Sequence, residues 1–104
     1  MTSEDVLIIS QILTGIAHIL GRYFQTFNGQ QLREELFQWR VEKGYSMEIL
    51  ILALKYLSFF EKFSILKDVF AQEWFLARDL NEIEQHYMRI SYNILHNEYK
   101  DFFQ

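Results

Sequence analysis

Glu82 and His86 stand four residues apart in "LNEIEQHYMRISYNILHNEYKDFF", residues 80–103. On a helix that spacing puts a carboxylate and an imidazole on one face, where acid–base or metal chemistry could begin. Di-metal carboxylate bundles space the pair three apart, as Glu-x-x-His, and need a second copy plus two more glutamates. The sequence supplies neither, and two ligands make no closed site, so His86 reads as part of a solvated helix face. His18 lies close to the apolar stripe of the first helical segment and reads as a half-buried, hydrogen-bonded histidine. His96 follows Leu95 at an expected helix end, where a cation suits the dipole.

Carboxylates are abundant, among them Glu34, Glu35, Glu82 and Glu84. Paired acids do acid–base work only where burial perturbs one of them. Their sequence neighbours are polar or charged, so solvated faces are expected. There are no cysteines, hence no disulfide framework, Cys-based zinc site or thiol nucleophile. No glycine loop could cradle phosphate, and no Ser, His and Asp follow a catalytic order. The expectation is a non-enzyme with no cofactor and no metal.

A net charge of −4 argues against nucleic-acid and anionic-membrane partners, both of which need a basic face. The opening "MTSEDVLIIS" carries acids and no Lys or Arg, unlike a secretory signal or a transit peptide. The longest unbroken apolar run, Ile49 to Leu54, is far short of the ~20 residues a membrane span needs. An intracellular protein, cytoplasmic or nuclear, is expected.

These residues must be positioned by helices. Proline is absent, glycine occurs only at Gly15, Gly21, Gly29 and Gly44, and apolar residues recur three and four apart. The first helix is expected to start after Thr2 or Ser3, with Glu4 and Asp5 at its positive end. It would carry Val6, Ile9, Leu13, Ile16, Leu20, Tyr23, Phe24 and Phe27 in one stripe. In "FNGQQ", either Asn28 and Gly29 form a left-handed cap, or Asn28 caps the next helix with Gln31 closing a box. The second helix, near 30–43, would turn Leu32, Leu36, Trp39 and Val41 inward, and Gly44 would stop it.

Ser46 is expected to cap a third helix that is apolar on nearly every side from Ile49 to Phe60, apart from Lys55 and Ser58. Such a helix belongs at the centre of a bundle. Ser64 would begin a weaker fourth segment, and Asp79 with Glu82 would box the start of a fifth helix. On that helix Ile83, Tyr87, Ile90, Ile94 and Leu95 form a stripe that would dock on the central one, ending near His96 before a final aromatic turn. The expected fold is all-α: a single helical domain, 1–104, with about five helices around an apolar one.

Aromatics make up 17% of the chain, and Phe59, Phe60, Phe63, Phe70, Trp74 and Phe75 crowd one quarter of it, with Tyr99, Phe102 and Phe103 at the end. Most belong in a core. A small domain buries only about 60% of its surface, however, so some must stay outside. Exposed Trp and Tyr typically anchor protein interfaces.

Three blocks resemble the cyclin box. "LREELFQWRVEK" looks like the family's opening block, with Arg33, Leu36, Trp39 and Glu42 on its pattern. "SMEILILALKYLSFFEKFS" resembles its central buried helix, with Leu50, Ala53 and Tyr56 in register. The stretch from Leu80 resembles its fifth helix through Leu80, Glu84, Tyr87, Ile90, Tyr92, Leu95 and Tyr99. The likeness covers about residues 32–63 and 78–103 and implies a cyclin-box-like bundle. It departs in the interval "SILKDVFAQEWFLAR", where the family's alanine-rich third helix is absent or badly shortened, and at Gln38, where the family has Asp beside the tryptophan.

The resemblance implies a non-catalytic protein-binding module whose partner is a kinase. In the family a Lys and a Glu contact that partner; Glu84 falls at the Glu position, and the Lys has no clear counterpart. With the aromatic excess, this makes Glu84, Lys55, Trp74 and Phe75 the candidate partner-binding residues, near a surface formed by the fourth segment and fifth helix. The alternative is a structural accessory subunit of a larger assembly, with the long apolar first helix as its glue.

Overall fold

Polar caps and one glycine divide the chain. The computed structural model describes residues 3–23 and 28–98. These hold five α-helices: α1 (Ser3–Gly21), α2 (Gly29–Lys43), α3 (Met47–Leu57), α4 (Leu66–Val69) and α5 (Glu82–Glu98), with 3₁₀ turns at Glu61–Phe63 and Trp74–Leu76. No strand occurs among the described residues. The radius of gyration is 12.8 Å, close to the ~13 Å of a compact chain of 100 residues.

α1 is shorter than its stripe suggests. It stops at Gly21 because the Arg22 and Tyr23 amides turn back to the carbonyls of Ile19 and Leu20, three residues earlier, at 3.1 and 2.9 Å. Ile9, Ile12, Leu13, Ile16 and Leu20 are buried along it. His18 is exposed, not half-buried as its place in the sequence suggests. Thr2, Phe24, Phe27 and the aromatic tail Tyr99, Phe102 and Phe103 lie outside the described residues, as do the side chains of Val6, Ile94, Leu95 and His96.

Asn28 resolves its two readings by capping α2. Its backbone is extended (φ −134°, ψ 103°) and its side chain accepts the Gln31 amide at 3.1 Å. Gly44 ends α2 in the left-handed region at φ 75°, where a side chain would be strained. Leu32 and Leu36 are fully buried and Trp39 half-buried, but Val41 is 61% exposed. Five residues beyond Leu36, Val41 sits about 140° round the helix from that stripe.

Ser46 caps α3 through the Ile49 amide at 3.2 Å. Every residue from Leu50 to Leu57 is buried, as a helix with no polar face requires. α1, α4 and the 74–76 turn pack around it. Next to it the chain breaks into pieces rather than one weak helix. Phe63, Leu66 and Phe70 pin the pieces to the core while Phe59 and Ile65 face outward. Ser64 does not cap α4; its hydroxyl donates to the Glu61 carbonyl at 2.9 Å.

α5 differs most from expectation. Its cap is Asn81, not Asp79: Asn81 accepts the Glu84 amide and Glu84 accepts the Asn81 amide, both at 2.9 Å. The buried face is Glu84, Met88 and Tyr92. The apolar row expected to dock inward faces out instead, with Ile83, Tyr87 and Ile90 exposed by 68%, 48% and 46%. Tyr92 packs in this rotation, stacking on Phe60 at 3.9 Å between ring centroids and meeting Tyr56 edge-on. Ser91 and Ser10 hydroxyls join α5 to α1 at 2.6 Å. The helix does not break near His96 but runs on to Glu98.

Two substitutions check this packing. Leu54 has no exposed surface, so Leu54→Ala should cost about 2–5 kcal/mol in urea unfolding; a loss below ~0.5 kcal/mol, typical of surface sites, would contradict it. Gly15 faces the Trp39 ring, and a Cβ there would overlap the indole. Helix propensity alone makes Gly→Ala favourable by roughly 1 kcal/mol; the ring should reverse the sign, so that Gly15→Ala lowers stability by about 1–3 kcal/mol.

Candidate functional site

Lys55 sits within the row of apolar residues on α3, and its residue is only 6% exposed. An ammonium in such a place must be held by its surroundings. The buried stem lets Nζ reach across to the segment leading into α5, where it donates to the Ala77 carbonyl. Asp79 Oδ1 lies 3.7 Å from Nζ, and the Asp79 side chain is wholly exposed. The Trp74 ring centroid lies 5.7 Å from Nζ, within cation–π reach. Lys55 thus ties the end of the central helix to residues 74–79.

Glu84 anchors the other side of that segment. Arg78 grips its carboxylate with both guanidinium nitrogens, Nη1 at 2.6 Å, and the Asn81 amide adds a third donor. Glu84 is 1% exposed. The Arg78 hydrogen bond, opposed by burial, holds its carboxyl below the usual carboxylate range. It faces inward and fixes the start of α5.

The four sequence-selected residues therefore divide. Lys55 and Trp74 line one hollow of about 250 Å³ with Phe59, Lys67, Asp79 and Leu80. Glu84 does not line it and is engaged with Arg78. Phe75, one residue beyond Trp74, is 79% exposed, and Leu76 beside it is 45% exposed. A second hollow, of about 290 Å³, lies between α1 and α2 and is lined by Ile19, Arg22, Glu35, Gln38, Trp39 and Glu42.

One ion pair had no signal in the sequence. Arg33 on α2 binds Glu73, forty positions away, with Nη1 at 2.6 Å, and also donates to the Val69 carbonyl at 3.1 Å. The guanidinium lies over the Phe37 ring, 4.6 Å from its centroid. The pair secures the residue just before Trp74 and so holds one wall of the hollow. The Arg33 hydrogen bond keeps the Glu73 carboxyl below its ordinary value. Glu35, expected on a solvated face, accepts the Tyr23 hydroxyl at 2.5 Å and pairs with Arg22.

Among the described residues no three His, Cys, Asp or Glu side chains gather as a metal-ligand set. No helix among them is long and apolar enough to cross a membrane. Tyr56, whose hydroxyl is buried without a hydrogen-bond partner among the described residues, has its ionisation pushed up to about 12, chiefly by burial. No protein-family model matches the chain, and no curated protein or solved structure matches it either.

The two held carboxylates predict an acid limb to stability. Both folded values lie below the unfolded value near 4.5, so their contribution is full above that pH and is lost as pH falls through the depressed values. The urea midpoint should fall on acidification below about pH 4.5. Glu73→Gln combined with Glu84→Gln should lower the neutral-pH midpoint and flatten that acid limb. An unchanged acid slope would show that these carboxylates are not held as described.

Proposed function

We propose that the chain is a non-catalytic helical module that binds a protein partner through the 74–76 turn and the outer row of α5. The observation that carries this reading is the row itself. Ile83, Tyr87 and Ile90 follow a four–three spacing, the seam along which one helix packs against another, and they face outward. Phe75 and Leu76 add exposed apolar surface at the adjoining turn. Exposed apolar groups of this kind mark interaction sites on soluble proteins.

A kinase is the partner class that the cyclin-box resemblance implies. Its support is that the three resembling blocks fall on α2, α3 and α5, with α3 buried, and that Lys55 and Glu84 flank one segment, 77–79. The interval where the family carries its third helix holds α4 and two 3₁₀ turns instead. A regulatory or docking role, rather than a catalytic one, suits a surface with no assembled nucleophile and base. The rival reading, an accessory subunit glued through α1, has less support, because α1 spends its apolar side inside the bundle.

The test is quantitative binding to whatever partner co-purifies with the full chain in its own cell, kinases included. Phe75→Ser and Ile90→Ser should each weaken that complex roughly tenfold or more, the loss expected at an interface anchor. Val41→Ser, on an exposed apolar residue of α2, should leave affinity unchanged. Wild-type affinity in both anchor variants would refute the surface.

A further inference from the structure

The hollow under Trp74 has a chemistry of its own. An ammonium has three donors and no acceptor. Lys55 directs one at the Ala77 carbonyl, and its counter-ion Asp79 stands 3.7 Å off, beyond ordinary hydrogen-bond length. A nearly buried cation usually lies among closer acceptors than this. Lys67, exposed on α4, lines the same hollow, so two lysines border it against one aspartate, on a chain whose net charge is −4.

Size narrows the guest. About 250 Å³ is below the ~300–1,000 Å³ of pockets that enclose a small-molecule ligand, but ample for one inserted side chain. Phe59, Trp74 and Leu80 supply apolar walls, and Lys55 and Lys67 supply the charge. A methylene stem ending in a carboxylate satisfies both at once.

We infer that this hollow receives a glutamate side chain from an acidic peptide segment of a protein partner, its stem between Phe59 and Trp74 and its carboxylate on Lys55 and Lys67. Asp79 is the internal competitor: exposed and loosely held, it yields Nζ to the incoming carboxylate. The inference rests on the binding-module reading and adds the partner's chemistry. Attraction between two lysines and an acidic segment also makes the contact sensitive to salt.

The probe is an acetylated, amidated hexapeptide alternating glutamate and alanine, titrated into the ¹⁵N-labelled full chain. Glutamine–alanine and lysine–alanine peptides serve as comparisons. The glutamate peptide should move the amides of residues 55–59 and the Trp74 indole saturably, less at high salt, and the other two should not. Lys67→Gln should weaken binding and Asp79→Asn should strengthen it, each by roughly two- to fivefold, the size of one exposed ion pair. Both residues are exposed, so neither change threatens the core. Equal response to all three peptides, no response to the glutamate peptide, or weaker binding by Asp79→Asn would each overturn the inference. A native complex that needs Phe75 and Ile90 while the glutamate peptide leaves the hollow unmoved would spare the module reading and remove this one.

Discussion

The inward-facing carboxylate of Glu84 sets much of the rest. Burying a carboxylate costs several kcal/mol unless donors surround it, and Arg78 and the Asn81 amide are those donors. Once that group is inside, the rotation of α5 is settled. Met88 and Tyr92 must follow it into the bundle, because they share its face. Ile83, Tyr87 and Ile90 lie roughly 100–160° round from the middle of that face and are carried outward. One buried charge thereby turns an apolar row that could have been core into surface.

The same short segment, residues 77–81, also receives Lys55 from the opposite side. A buried cation from α3 and a buried anion from α5 meet one stretch of backbone without bonding to each other. Lys55 takes a carbonyl from the stretch and Glu84 takes an amide and the Arg78 guanidinium. This splits what could have been one ion pair into two anchors. The segment between them is held at both ends, and Trp74 beside it is fixed by the Arg33–Glu73 pair. The hollow is therefore shaped by polar ties rather than by its apolar lining.

Much of the architecture was legible in local signals. Asn28, Gly44 and Ser46 act within three or four residues of themselves, so their chemistry is written where it operates. The unbroken apolar face of α3 could go nowhere but inside. The failures share one cause. The most apolar row of α5 suggests one rotation, but side-chain ties decide another, and one of those ties buries a glutamate that periodicity counts as polar. Arg33 and Glu73 meet only in three dimensions, and nothing in either neighbourhood announces the other. Lys55 was visible as a charge on an apolar helix; its acceptor at Ala77 was not.

That pattern bears on how the surface came to be apolar. A helix whose whole apolar arc is covered needs neighbours on two sides, and α5 leans mainly on α1. The interval before it is spent on short turns, α4 running only from Leu66 to Val69. A long helix there could have covered the row; four residues of helix cannot, since they span only about 6 Å. The short elements at 58–81 and the exposed row thus go together: Phe63, Leu66 and Phe70 of that interval pack on the core, and among the described residues Ile83, Tyr87 and Ile90 stay exposed. The proposed binding role rests on that row, which several residues build together, whereas the hollow beside Trp74 depends on Lys55.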